Sequence, residues 1–188
     1  MNNKDFSNYL NLIKGIESIT SKIKEKYKDD IQCKEGCDEC CNYHLSLFPI
    51  EAYYLKKGFE SLRGIERDIL LNKCINIIKD PNYRGPCPLL EKKRCLLYEY
   101  RPIICRTQGY PLFSLLIDEN EDKISYCPKN FKKIKDRKLL LEEKMVLDLD
   151  TINKILVTIN GLFVNQYELK LRHPNDRILI AQAIVSID

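Results

Sequence analysis

The sequence predicts a mainly α (α+β) fold: a small helical domain with one short β-hairpin and a long irregular, cysteine-rich segment. Three observations predict it. Helical amphipathic periodicity runs near both ends, one stretch alternates around an acidic turn, and a central region loses periodicity while prolines and cysteines accumulate. At 188 residues the chain is most simply one domain over 1–188, long enough to bury a core of its own.

Residues 5–28 place Phe6, Leu10, Ile13, Ile16, Ile19, Ile23 and Tyr27 three and four apart, an amphipathic helix with a lysine-rich outer face. Pro49 opens a second helix, since its missing N–H costs nothing in a first turn, and "IEAYYLKKGFESL" continues it. A third, over 65–79, carries Leu71, Cys74, Ile75 and Ile78 on one stripe. From Asp80 to Arg106 the periodicity disappears, and four of the eight prolines (81, 86, 88 and 102) fall there with three cysteines. An irregular run of that length in a small domain needs something other than an apolar face to order it. "PLFSLLIDENEDKISYC" then reads as the hairpin, with Asp118 to Asp122 as its turn. Helices follow over 129–147 and from Thr151, the latter turning Ile152, Ile155, Leu156, Ile159 and Phe163 inward. "HPND" precedes a last helix ending near Ser186, with Asn175 or Asp176 as its cap. Residues 33–128 thus form a cysteine-cluster core between an N-terminal helix, 5–28, and C-terminal helices, 129–187.

Hydrophobic residues at 44% beside 31% charged residues describe an ordinary globular chain. A net charge of +4 is too small to argue for nucleic acid by itself, the lysines lying along solvated helical faces, and no nucleic-acid partner is expected. "MNNKDFSNYL" has no apolar h-region, and no run approaches the roughly 20 apolar residues of a membrane span. The expectation is a cytoplasmic protein without a membrane partner. In a reducing compartment clustered cysteines bind metal or catalyse rather than pair, and the odd count of nine agrees.

Cys74 stands on an apolar helical stripe and reads as core packing. The other eight group as Cys33, Cys37, Cys40 and Cys41, then Cys87, Cys95 and Cys105, then Cys127. Thiolates select zinc, copper(I) or iron–sulfur clusters. A tetrathiolate zinc site or an oxidised cubane carries a charge near −2 that the protein must offset. Residues 84–106 hold six basic side chains against Glu91 and Glu99, an excess of +4, whereas in the first run Lys34 is outnumbered by Glu35, Asp38 and Glu39. That favours an anionic site shared by the two segments over one within 33–41.

Cys33, Cys37 and Cys40 have the C-x3-C-x2-C spacing with which radical-SAM enzymes hold a [4Fe-4S] cluster. Here Glu39 stands where an aromatic is usual, a long helix precedes the motif and no βα alternation follows, so that reading is rejected. A paired zinc knuckle needs two C-x2-C or C-x2-H units, and the chain has one, Cys37 and Cys40.

"CKEGCDECC" followed by "CPLLEKKRCLLYEYRPIICR" resembles the CxxCxxCC cysteine-cluster family of zinc- or iron-chelating domains. Cys33, Cys37, Cys40 and Cys41 match its first run. Cys87, Pro88, Leu90, Cys95, Tyr98, Arg101, Pro102, Cys105 and Arg106 match its second segment. The resemblance spans about 33–128 and implies metal binding, with iron–sulfur redox chemistry as one proposed activity. The cysteine motif alone is also similar to that of flagellin lysine N-methylases, which are much longer chains.

The principal ligands on this reading are Cys33, Cys37, Cys40, Cys87, Cys95, Cys105 and Cys127, with Cys41 the eighth, enough for two four-coordinate sites. The cofactor is an iron–sulfur cluster (4Fe-4S) or zinc, and iron implies a protein redox partner. If "YEYRPIIC" makes a helical turn with Pro102 in its first position, Arg101 and Cys105 face the same way and the guanidinium reaches a thiolate or sulfide. Arg106 either holds an anion or braces the loop through an acidic residue, the second being expected. Tyr98 is expected in the core and His44 in a structural role rather than as a ligand. The rival functions are a non-catalytic zinc module that binds another protein, and a SAM-dependent protein-modifying enzyme.

Overall fold

The computed structural model describes residues 3–117, 122–169 and 176–187. Contacts within the chain fall into two compact units. The first comprises Met1–Phe6, Glu35–Pro102 and Ile159–Asp188, the second Ser7–Lys34 and Ile103–Thr158. The architecture is mainly helical with short strands, as expected. No helix among the described residues is long and apolar enough to cross a membrane.

In the first unit a two-residue strand, β1 (Ser46–Leu47), leads into α2 (Pro49–Ser61), and α3 (Gly64–Lys79) follows; α1 (Ser7–Lys26) belongs to the second unit. Pro49 occupies the first turn of α2, as its fixed φ and absent N–H allow. The N–H groups that this turn leaves unpaired find buried partners: Asn160 Oδ1 accepts from Ile50 N–H at 3.2 Å, and the Glu51 carboxylate accepts from Phe48 N–H at 3.1 Å. Strands β2 (Leu90–Glu91) and β3 (Arg94–Cys95) form an antiparallel hairpin, and a 3-10 turn, Tyr98–Tyr100, follows. Near the C-terminus β7 (Ile178–Leu179) pairs antiparallel with β1, Ser46 opposite Leu179, and runs directly into α7 (Ile180–Val185). A helix of six residues has no stability alone. Ala181, Ala183, Ile180 and Ile184 are buried on it, and the small side chains let it lie close against α2 and α3. Leu47, Leu55, Phe59, Leu70, Cys74, Cys87, Leu89 and Leu97 complete this core.

The second unit is built on α1 (Ser7–Lys26), which follows a 3-10 turn at Asn3–Phe6 and packs against α4 (Ile103–Thr107) and β6 (Leu147–Asp148). Strand β4 (Leu112–Phe113) lies between β5 (Ile124–Ser125), antiparallel, and β6, parallel. The expected hairpin is therefore present as β4 and β5; most of its turn, residues 118–121, lies outside the described residues. A single short turn, α5 (Lys138–Glu142), precedes β6, and α6 (Leu149–Gln166) opens with Asp148 accepting from the Thr151 N–H and hydroxyl. The division between the units falls inside α6, after Thr158.

Several expectations are corrected. The helix over 129–147 reduces to α5. Phe131 sits at φ 55° with its ring buried against Tyr27 and Tyr126, and the basic run after it has no apolar stripe to bury. On α1 the buried line is Tyr9, Ile13, Ile16, Thr20 and Ile23, leaving Ile19 exposed. Ile78 on α3 and Ile155 on α6 are exposed too, since Leu70 and Cys74 carry the inner face of the former and Ile152, Leu156, Ile159 and Phe163 that of the latter. The last helix starts at Ile180 with Leu179 as N-cap, so Asp176 does not cap it; Asn175 lies outside the described residues.

Candidate metal centre

None of the nine cysteines, all of them among the described residues, is in a disulfide. Cys37, Cys40, Cys41, Cys74, Cys87 and Cys95 belong to the first unit, and Cys33, Cys105 and Cys127 to the second. Among the described residues no group of three or more His, Cys, Asp or Glu side chains is already disposed to hold a metal ion. What each unit does provide is a set of thiols on adjoining, hydrogen-bonded segments.

In the first unit Cys40 and Cys41 end a 3-10 turn, Glu39–Cys41, whose chain is held by Cys41 N–H donating to Asp38 O at 2.8 Å. The Cys87 N–H donates to the Cys41 carbonyl, also at 2.8 Å, which ties the first cysteine run to the second segment. From there the chain turns, Leu90 N–H donating to Cys87 O at 3.0 Å, and enters the β2–β3 hairpin in which Cys95 pairs with Leu90. The hairpin closes through Lys92 and Lys93, both at positive φ (48° and 63°), a two-residue turn whose twist suits antiparallel strands but which usually takes Asn or Gly. Lys73 on α3 fastens it by donating to Leu90 O at 2.8 Å and pairing with Glu91.

Cys87 and Cys95 share a local device: the backbone N–H two residues on, of Leu89 and of Leu97, donates to the thiol sulfur. Such donors favour the thiolate, the form that ligates a metal. Burial works the other way and dominates. It pushes the Cys87 thiol up to about 12, the Cys95 and Cys74 thiols adding to the shift while Lys73 opposes it. Burial raises Cys95 as well, with the Arg101 guanidinium opposing. Cys40 is raised first by its hydrogen bond with Cys41 and then by burial. Cys41 and Cys95 pack against the apolar cluster that contains Cys74 and Cys87. Burial thus favours the protonated thiol at Cys87 and Cys95, and a bound metal would supply the missing positive charge. Soft thiols, oriented N–H donors and nearby cationic groups fit zinc or iron–sulfur chemistry.

In the second unit the three cysteine-bearing segments meet at Asn130, which is 1% exposed. Its Oδ1 accepts from Gln32 N–H at 2.8 Å, and its Nδ2 donates to Gly109 O at 2.8 Å and to Cys33 Sγ at 3.3 Å. Its own backbone N–H donates to Cys127 O at 2.8 Å. Gly109, four residues beyond Cys105, has φ +91°, and a Cβ there would stand 2.9 Å from Cys33 Sγ. Glycine is therefore required twice, for the left-handed backbone and for the approach of the sulfur. Beside Cys105 the nearly buried Arg106 guanidinium pairs with Glu17 of α1 at 2.5 Å, the bracing role expected of it.

The other residues singled out in the sequence divide. Cys74 is fully buried, as core packing requires. His44 Nε2 accepts from Ala181 N–H at 3.2 Å in the first turn of α7, and its ring stands edge-on to Tyr83, a structural role. Tyr98 is not in the core: it is 54% exposed, with the Arg101 guanidinium 3.7 Å from its ring centre. The helical turn joining Arg101 to Cys105 does not form either. Arg101 is extended (φ −60°, ψ 145°), the conformation that a following proline imposes, and α4 begins only at Ile103. Arg101 acts on Cys95 instead. Asn130, Gly109 and Lys73 carry no spacing signal in the sequence, because each acts through a contact between distant segments.

A family model titled "Putative zinc- or iron-chelating domain", CxxCxxCC, matches residues 32–130, more than half of the chain. No curated protein and no solved structure matches it.

Proposed function

The chain belongs to the CxxCxxCC family, and from that premise we propose that its cysteines hold zinc or an iron–sulfur cluster in two sets, one in each unit. The first set is Cys41, Cys87 and Cys95, with Cys37 and Cys40 in the adjoining run to complete it. The second is Cys33, Cys105 and Cys127. The observation that carries this reading is the 2.8 Å bond from the Cys87 N–H to the Cys41 carbonyl, which ties the first cysteine run to the hairpin segment that bears Cys87 and Cys95.

Bound iron–sulfur, such as a 4Fe-4S cluster, supplies one-electron transfer to a protein redox partner; bound zinc supplies a fixed cross-link. The residues contribute the rest. Arg101 offsets thiolate charge at Cys95, Lys73 does so at Cys87, and the apolar cluster around Cys87 keeps water from that sulfur. That burial also favours a second reading, in which zinc is structural and orders residues 80–102 so that the surface can bind another protein.

Protein purified without oxygen decides between them. Iron with acid-labile sulfide, and a broad visible absorption bleached by dithionite, supports electron transfer. Stoichiometric zinc in aerobic and anaerobic preparations alike, without labile sulfide, rejects it in favour of the structural centre.

A further inference from the structure

We propose that Asn130 is a positioning residue for the second thiol set, its carboxamide donating to Cys33 Sγ and thereby fixing that sulfur and tempering its electron donation to a bound metal; this rests on the metal-binding reading above. The orientation of the carboxamide is not a free choice. Oδ1 faces a backbone N–H, that of Gln32, and Nδ2 faces a backbone carbonyl, that of Gly109. Turning the group over would set an NH2 against an N–H and an oxygen against an oxygen, losing both bonds. The remaining N–H direction is therefore committed to the sulfur, which it meets at 3.3 Å.

Three features make this more than a packing contact. The amide is buried, so no water competes for its donors. Gly109 leaves room beside the N–H···S contact, since any Cβ there would stand 2.9 Å from Cys33 Sγ and 3.2 Å from Asn130 Nδ2. The backbone N–H of Asn130 is bonded to the carbonyl of Cys127, so one side chain and its main chain address two members of the set and the segment just after the third. In the first unit the corresponding donors are the backbone N–H groups of Leu89 and Leu97, which a side-chain change short of proline leaves in place. In the second unit the donor is a side chain, and its contribution is open to mutation.

The test uses the full chain, stripped of metal and titrated with Co(II), whose sulfur-to-metal charge-transfer band reports the thiolate's donor strength. Asn130→Asp keeps the oxygen that accepts from Gln32 and replaces the N–H donor with an acceptor. The expected result is a charge-transfer band shifted to lower energy and Co(II) bound at least tenfold more weakly at one of two sites. In a Cys33→Ser background the same substitution should leave the spectrum unmoved, a result that a merely structural role would not produce. Unchanged band and affinity in Asn130→Asp, with the wild type binding normally, overturn the proposal alone. A wild type without any thiolate band overturns the metal-binding reading as well. A measurement on the unmutated protein covers the case of a variant that does not fold. Loaded with cadmium-113, it should show scalar coupling between the metal and the Asn130 side-chain amide protons through the N–H···S bond, and its absence rejects the assignment.

Discussion

The backbone N–H of Cys87 donates to the carbonyl of Cys41 across 2.8 Å, joining two cysteine segments that lie more than forty residues apart in the chain. Around that bond the first cysteine run, a hairpin and the apolar core of the first unit are assembled together, and the consequences can be measured.

If the thiols act as two sets, serine substitutions separate them. Cys87→Ser should lose about half of the bound metal and leave the Asn130-dependent spectrum in place, whereas Cys105→Ser should lose the other half. Both should lower the melting temperature, because metal binding is coupled to folding. Metal analysis by mass spectrometry beside a thermal melt checks each; loss of all metal in either variant would reject two independent sets.

Cys74 offers the contrast. It is fully buried on α3 and belongs to neither set. Cys74→Ser should leave metal content unchanged while costing about 1–3 kcal/mol, the penalty of burying a hydroxyl with poor partners. Cys74→Ala, which adds no polar group, should cost less. Denaturant unfolding with metal analysis on the same samples distinguishes the two effects.

Metal affinity should rise with pH. Burial holds Cys87 near 12 and raises Cys95, so both sulfurs carry protons at neutral pH that a metal must displace. Each displaced proton makes the apparent association constant about tenfold larger per pH unit below the thiol value. Competition titrations of Zn(II) against a chromophoric chelator between about pH 6 and pH 8 should show that slope.

His44 makes folding stability depend on pH in the same direction, rising with pH. Its folded value is lowered by burial from the ordinary 6.5, so the neutral ring, which accepts from Ala181 N–H, is the folded form. The contribution is complete above about 6.5 and is lost as pH falls through the folded value, since the unfolded chain takes up the proton first. Acidification should therefore lower the wild-type melting temperature more steeply than that of His44→Gln, compared in parallel melts.

Gly109→Ala should strain the second unit. The backbone at φ +91° disfavours any side chain, and the added methyl would meet Cys33 Sγ at 2.9 Å. A loss of about 1–3 kcal/mol is expected, with weaker metal binding in the second set. Chemical denaturation of the metal-free variant isolates the backbone cost from the ligand effect.

How much of this could be read beforehand depends on the range of the interactions involved. The long helices α1, α2 and α6 were legible because three- and four-residue spacing of apolar side chains is a local signal, and Pro49 marked its helix by the chemistry of one residue. The β2–β3 hairpin was not, since its turn is Lys92–Lys93 and lacks the Asn-Gly or Gly that announces one. The helix expected over 129–147 gave way to the burial of Phe131 in a left-handed backbone, a tertiary gain that outweighs helical propensity.

The sequence by itself determined the chemistry of this protein: eight cysteines in a family-specific spacing, an arginine and proline pattern around them, and mainly helical flanks. Only the tertiary structure decided the company each cysteine keeps. Cys33 and Cys37 are four residues apart yet fall in different units, whereas Cys41 and Cys87 are neighbours through a backbone hydrogen bond. Residue type and spacing act locally and survive in any conformation of the chain. The grouping of sulfurs, and the donors of Asn130, Leu89 and Leu97 that face them, exist only once distant segments are packed together and their polar groups must find partners away from water.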